Sequence, residues 1–309
     1  ELAASEATGG LSLEASGAIT DSGTLAITGA TTISASGQSV SLTNADSTFG
    51  DLIVNAKDVY IVEDGSFTSS SITAETVQVS ATEGVSVISN GDGLKFAAQS
   101  GTGNIDVVNT GGLVISELAN VQGIQFTDAS AAGKVSLVAK SPLTVNAAID
   151  AKGGEVLLVA SGSDAADDVT INSNIIGQSV NVYAGDSIAI EGDATINSPA
   201  FELNVGTNYD SSTSTATPGS STAGLSLSST AGLQSIKIPS IGIITGKGRV
   251  TEFSTAGITY LDDYFNALNP AFEEFVNLDE IGATGSVESE LYDFVDTENS
   301  GSIEIDEKK

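Results

Sequence analysis

The stretch Gly133–Gly162 reads GKVSLVAKSPLTVNAAIDAKGGEVLLVASG and contains the pattern that decides the fold. In two pairs of apolar residues, Val135/Leu137 and Val156/Leu158, the members are separated by one residue. The segment that connects the two pairs is rich in Gly, Asn, Asp, Ser and Lys. Alternation with period two turns one face of a β-strand inward, and small polar residues are typical of turns. The stretch therefore predicts short strands that are joined by turns and recur after about twenty residues.

The same apolar-x-apolar unit recurs on both sides of this stretch and forms rows along the chain. The first row contains Val40/Leu42, Val59/Ile61, Val77/Val79, Leu94/Phe96, Leu113/Ile115, Val135/Leu137, Val156/Leu158, Val180/Val182 and Phe201/Leu203. The second row contains Leu52/Val54, Ile72, Val85/Val87, Ile105/Val107, Ile124/Phe126, Leu143/Val145, Val169/Ile171 and Ile188/Ile190. A weaker third row contains Ile149, Ile176 and Ile196.

These rows predict an all-β fold, a parallel β-helix (β-solenoid) over residues 1–205. Two or three strands close one coil, and a coil buries its apolar face only by stacking on its neighbours. We expect about nine to ten coils, and nine coils at the usual strand spacing of about 4.8 Å give a rod on the order of 40–45 Å long. A polar insertion at Ser161–Asp168 falls between strands, as a solenoid requires. An ordinary β-sandwich is the alternative, because its strands also recur with regular turns.

The amino-acid composition limits which classes of partner and function fit this chain. Hydrophobic residues make up 40% of the 309 residues and aromatic residues only 5%, which suits stacked β-branched side chains. The formal net charge of −30 argues against nucleic acid and anionic membranes as partners and allows metal cations as counter-ions. The chain has no Met, which predicts a removed leader or a fragment of a longer protein. No run of about eighteen apolar residues is present to span a membrane.

Catalysis is not the favoured function. The chain contains neither His nor Cys, so Ser–His and Cys–His catalysis and the usual zinc ligands are excluded. Asp167-Asp168 is an adjacent carboxylate pair in a solenoid loop, which we interpret as solvated. Asp262-Asp263 and Glu273-Glu274 fit the polar sides of helices. A polysaccharide-active β-helix enzyme is the lesser alternative, and we predict no catalytic residues.

Two segments carry a family resemblance. They are VSLTNADSTFGDLIVNAKDVYIVEDGSF, from Val40 to Phe67, and the stretch Gly133–Gly162 quoted above. Both resemble the repeats of filamentous-haemagglutinin-type exoproteins, which Gram-negative bacteria secrete by a two-partner route. The resemblance extends over roughly residues 10–205, and the amino-terminal secretion domain of that family is not recognisable. It implies a right-handed parallel β-helix, a secreted or cell-surface location, and a role in adhesion or fibre formation.

The rest of the chain predicts a linker and a small module. Residues 206–232 are rich in Ser, Thr and Gly and predict a flexible linker, or alternatively a glycan-bearing stalk. Residues 233–309 predict a strand interrupted at Pro239, then two short helices and an acidic tail. The helical stripes contain Tyr260, Leu261, Tyr264, Phe265 and Leu268, then Phe272, Phe275 and Val276. We expect these helices to form a small core or cap, or a docking site for another subunit.

The acidic tail contains a possible calcium loop. Its oxygen ligands in the EF-hand spacing are Asp296, Glu298, Ser300, Ser302 (backbone carbonyl), Glu304 and Glu307. Gly301 stands at the sixth position, where the loop turns sharply. The sequence therefore predicts possible Ca²⁺ binding, and the alternative is an acidic tail with a chance Gly.

Two non-enzymatic functions fit these features. In the first, the protein is an extracellular or cell-surface structural subunit that forms a head-to-tail homopolymer through its solenoid ends. In the second, it is a monomeric adhesin rod that binds a host surface or a glycan. The separate carboxy-terminal part favours the filament subunit.

Overall fold

The computed structural model describes residues 1–162 and 166–219, together with the backbone of three later strands, Gly224–Leu227, Ile243–Thr245 and Arg249–Glu252. These residues form a β-solenoid of about nine turns, and they contain no helix. The strands that stack from one turn to the next are parallel. The alternation of small apolar and polar residues therefore produces the predicted fold class.

The strands are short, and most contain two to seven residues. The first fifteen are β1 Ser5–Ala7, β2 Leu11–Glu14, β3 Ile19–Thr20, β4 Leu25–Ile27, β5 Thr31–Leu42, β6 Leu52–Glu63, β7 Phe67–Thr73, β8 Thr76–Ala81, β9 Val85–Ser89, β10 Leu94–Ser100, β11 Ile105–Asn109, β12 Leu113–Ile115, β13 Glu117–Leu118, β14 Val121–Gln122 and β15 Ile124–Phe126. The others are β16 Lys134–Ala139, β17 Leu143–Val145, β18 Ile149–Asp150, β19 Glu155–Ala160, β20 Val169–Ile171, β21 Ile175–Ile176, β22 Ser179–Ala184, β23 Ile188–Ile190, β24 Ile196–Asn197, β25 Phe201–Asn204, β26 Thr207–Asp210, β27 Thr215–Pro218, β28 Gly224–Leu227, β29 Ile243–Thr245 and β30 Arg249–Glu252.

Strands from successive coils stack into three ladders. Ladder A contains β2, the first halves of β5 and β6, then β7, β9, β11, β16, β19, β22, β25 and β29. Ladder B contains β3, the second halves of β5 and β6, then β8, β10, β12, β17, β20, β23, β28 and β30. Ladder C contains the end of β10, then β15, β18, β21 and β24.

The predicted apolar pairs point inward, but the first two predicted rows exchange places in the middle of the solenoid. Leu113 stacks on Leu143 rather than on Val135. Ile105 stacks on Val135. Ile124 joins ladder C between Ala98 and Ile149. Period two separates the inner from the outer face, but it does not distinguish one ladder from another, because every ladder has the same pattern.

The third predicted row needs one correction. Ile149 stacks on Ile175, which is fully buried, and Ile175 stacks in turn on Ile196. Ile176 pairs with Asp150, points outward and is 37% exposed. The local sequence is Asn-Ile-Ile-Gly, so either isoleucine could be the inward residue of the third row. Only the register of the backbone pairing decides that Ile175 is the inward one.

The core is a column of apolar side chains interrupted by a few buried polar residues. Burial of each Val, Leu or Ile contributes about 1.5–3 kcal/mol relative to an exposed position. Asn109 is one of these polar residues, since it points inward and is 1% exposed. Its Nδ2 donates to the carbonyl oxygens of Gly91 (2.7 Å) and Gly112 (2.8 Å), and its Oδ1 accepts from Ser89 Oγ (3.0 Å). These bonds satisfy the buried amide and hold the turn beside ladder A.

Stacked glycines allow close packing at one corner of the first coils. A Cβ at Gly10 would lie 2.7 Å from the Ala30 carbonyl oxygen, and a Cβ at Gly29 would lie 2.6 Å from the Gly10 nitrogen. A Cβ at Gly50 would clash with the Gly29 carbonyl. Any other residue would therefore force neighbouring coils apart at this corner.

Two antiparallel hairpins depart from the solenoid pattern. The first, β13–β14, lies in the coil where the chain passes from Ile115 to Ile124; the next coil passes directly from Val145 to Ile149. The second, β26–β27, pairs Thr207–Asp210 with Thr215–Pro218. This hairpin and strand β28 lie within residues 206–232, the range for which the sequence predicts a flexible linker. Solenoid strands also continue past residue 205, since β28 extends ladder B and β29 extends ladder A.

Candidate interaction surfaces

The first coil exposes one edge of the solenoid. Strand β2 pairs with β5, and β1 pairs with β4. Within the described residues, no other strand pairs with β1 or β2 on the opposite edge. Partly buried apolar side chains pack against the core at this end, and they are Leu2, Ala7, Leu11, Leu13 and Ala15. The end of the rod therefore combines open backbone groups with apolar surface, and both favour addition of another strand layer.

Charge at this end limits which partner fits. Glu6 and Glu14 are exposed on strands β1 and β2. Two first coils placed end to end would bring these carboxylates together, and like charges in proximity disfavour such pairing. A different coil end, presented in the parallel orientation, avoids this repulsion and continues the stacking direction.

The second hairpin packs on the outside of the solenoid. The rings of Tyr183 and Tyr209 stack with centroids 4.2 Å apart and an interplanar angle of 20°. Asn208 Oδ1 accepts a hydrogen bond from the Gly162 backbone N–H at 2.6 Å. The hairpin thus attaches to the outer side of β22 and to the end of β19. No pattern in the sequence predicts this contact, because Tyr209 is an isolated ring in a Ser/Thr-rich stretch.

Three carboxylates meet at a solenoid corner that includes the pair Asp167-Asp168. Asp167 and Asp186 are 3% and 7% exposed, and the Asp186 N–H donates to the Asp167 carbonyl oxygen at 3.0 Å. Burial raises the pKa of Asp168, although the Ser187 N–H donates to its Oδ1 at 2.9 Å, and the nearby Asp186 carboxylate raises it further. Since Asp167 is buried, the interpretation of a solvated loop is wrong for this residue.

Glu63 is a buried acid that the sequence did not single out. Its side chain points inward and is 3% exposed. Burial raises the pKa of Glu63 to about 7, although the Phe49 N–H donates to Oε1 at 3.1 Å. Its Oε2 has no hydrogen-bond partner among the described residues. The sequence Val-Glu-Asp-Gly resembles an ordinary acidic turn, so alternation alone was the signal that placed residue 63 inward.

A groove of about 470 Å³ lies where strands β6, β8 and β10 end. It is lined by Ala45, Val62, Glu63, Ser80, Ala81, Thr82, Gln99, Gly101, Thr102, Thr127 and Asp128. None of these residues is aromatic, whereas sugar-binding sites commonly use a ring as a platform. The groove therefore adds no support for a polysaccharide-active enzyme.

The predicted calcium residues Asp296, Glu298, Ser300, Ser302, Glu304 and Glu307 lie outside the described residues, as do the predicted helical stripes. Among the residues that the structure does describe, no group of three acidic side chains is arranged to hold a metal ion. The same part of the chain contains no helix long and apolar enough to cross a membrane.

Comparison with known proteins places the repeats but assigns no activity. A family model described as repeats of unknown function (DUF5649) matches residues 1–55, which contain the first coils and the open edge. No curated protein and no solved structure matches the chain significantly. The fold and the match together define a repeat-built β-solenoid, similar over its first coils to this family.

Proposed function

We propose that this protein is an extracellular structural protein, a subunit of a surface filament that assembles through end-to-end solenoid contacts. The observation that carries this proposal is the open edge of the first coil, where β1 and β2 each pair on one side within the described residues. A second chain adds its terminal coil in parallel and covers Leu2, Leu11 and Leu13. Repetition of this contact gives an open fibre.

The energetics support such a joint. Full burial of an exposed Leu contributes up to about 1.5–3 kcal/mol, and Leu11 and Leu13 are only half-buried in the single chain. Strand addition also pairs the free backbone groups of β1 and β2. The exposed carboxylates of Glu6 and Glu14 disfavour contact between two first coils, which supports head-to-tail growth.

The resemblance to filamentous-haemagglutinin-type repeats supports a secreted, cell-surface location in a Gram-negative bacterium. A rod without Cys needs no oxidising compartment to fold, and the net charge of −30 keeps separate rods apart until specific ends meet. An EF-hand-like loop over Asp296 to Glu307 would add a Ca²⁺ site to the carboxy-terminal part. Calorimetry tests this loop, because binding should be lost in Asp296→Asn and Glu307→Gln.

Negative-stain electron microscopy of the purified full chain tests the filament. We expect filaments whose number rises with protein concentration. Leu13→Asp should abolish them, because a charge then enters the joint. Ser12→Asp is the matched control: it adds the same charge to the same strand, but residue 12 is exposed on the outer face. Single rods in the unsubstituted protein at every concentration would refute the filament and favour the alternative of a monomeric adhesin rod.

A further inference from the structure

The outer face of ladder A exposes a row of aliphatic side chains. Ile88, Val108 and Val138 occupy equivalent outward positions on β9, β11 and β16 and stack in register. Ile88 is 48% exposed and Val108 is 42% exposed, which places both among the most exposed large apolar residues of the described chain. Outward positions on a solvated strand are usually polar, so this row departs from the pattern of the surrounding surface.

The same row continues into a region where it is covered. Val138 stacks on Val159, and Val159 stacks on Tyr183. Val159 is fully buried although it points away from the solenoid core, and Tyr183 stacks on Tyr209 of the second hairpin. One half of the row is therefore packed beneath other parts of the chain, and the half at Ile88 and Val108 is not.

Charge identifies the partner that this uncovered half accepts. Asp106 and Lys134 are the only charged residues on strands β9, β11 and β16. Burial raises the pKa of Asp106, and the nearby Lys134 ammonium offsets part of this effect. These three strands together thus have no net charge, whereas the whole chain carries −30. Two copies of so acidic a rod repel each other over most faces, and a neutral apolar strip is where they approach at least cost.

We propose that this strip, defined by Ile88, Val108 and Val138, is a lateral docking surface for a second copy of the chain. Two rods lie side by side with their strips in contact, and the shared apolar surface leaves water. This contact is separate from the end-to-end joint and adds a second direction of assembly. A single lateral contact involves few side chains and is weak; in a filament the strip repeats with every subunit, so the contacts act together and bundle the fibres.

The absence of Cys permits a direct test with single-thiol variants. Val108→Cys places the only thiol of the chain in the strip. Ile176→Cys is the matched control, because Ile176 is 37% exposed on ladder C, outside the strip. Both variants are made in the Leu13→Asp background, which blocks the end-to-end joint, and are oxidised at equal concentration. We expect the Val108→Cys dimer to form at least about tenfold faster, since docking raises the effective thiol concentration.

Equal rates of dimer formation in the two variants would overturn the lateral contact. Adding Ile88→Asp to Val108→Cys should return its rate to that of the control, and an unchanged rate would also contradict the proposal. Circular dichroism verifies that each variant is folded. The result of the thiol test does not depend on filament formation. If the lateral contact fails, end-to-end assembly is unaffected. If Leu13→Asp abolishes filaments, the rate of thiol oxidation can still be measured.

Discussion

The first coil and the coils in the middle of the solenoid have the same alternating pattern but different environments. Leu13 and Leu137 both point inward, yet Leu137 is fully buried between coils, whereas Leu13 is only partly buried. The pattern decides which way a side chain points, and the number of neighbouring coils decides how much of it is buried. The comparison shows that in a solenoid an interior residue stabilises the fold and the equivalent residue of an end coil is available for assembly.

The largest expected effect is the difference in stability loss when one leucine is truncated in each of these two environments. Leu137→Ala should destabilise the chain by about 2–5 kcal/mol, because it leaves a cavity that the flanking coils cannot fill. Leu13→Ala should cost about 1 kcal/mol or less, since its environment is half-solvated. Urea denaturation at low protein concentration, where ends do not associate, measures both. Equal losses for the two variants would contradict the comparison.

A smaller effect is expected at Glu63, the acid that points into the interior. Burial raises the pKa of Glu63 from 4.5 to about 7, so the folded state holds a proton that the unfolded chain releases. The stability that this group contributes is present below pH 4.5 and is lost as the pH rises through about 7. Glu63→Gln replaces the carboxyl with an amide that cannot ionise. Its free energy of unfolding should exceed that of the unsubstituted protein by about 1 kcal/mol at pH 5 and by about 3 kcal/mol at pH 8.

Thermal or urea unfolding at the two pH values measures this gain. Glu14→Gln is the control, because Glu14 is exposed on the first coil, and it should show no comparable dependence. A pH profile of Glu63→Gln that parallels that of the unsubstituted protein would mean that the Glu63 carboxyl titrates alike in the folded and unfolded chains.

The smallest expected effect concerns the outer surface. Tyr209→Ala removes the ring that stacks on Tyr183 and should destabilise the chain by about 0.5–1.5 kcal/mol beyond the loss of buried area. It should also expose the outer side of ladder A near Val159, which hydrogen exchange at β19 and β22 detects. Tyr60→Ala, an outward ring on β6, is the control and should leave exchange at those strands unchanged.

Much of the core was predictable because inward residues of a strand obey period two. Val40, Val59 and Val77 were placed in one row, and the structure stacks them in register. The prediction failed where the chain leaves the repeat. After Ile115 a hairpin delays the next strand, so Ile124 falls at the expected spacing for one ladder but lies in another.

The candidate surfaces were less predictable than the core. The open edge follows from the solenoid itself, and the end-to-end contact was predicted on that basis. The lateral strip was not predicted, because Ile88 and Val108 stand next to inward residues in runs such as VSVIS and look like ordinary strand residues. Their register across three coils is a property of the stacking, which spacing alone does not determine.

The glycine corner has a consequence for how such a chain lengthens. Gly29 and Gly50 occupy equivalent places in adjacent coils, each against the backbone of the coil before it. The segment between them is therefore a self-contained unit that begins and ends at matching joints. A tandem duplication of residues 30–50 would bring its own corner glycine and extend the rod by one strand spacing, about 4.8 Å. A duplication that left out Gly50 would place a Cβ against the backbone of the preceding coil at this corner.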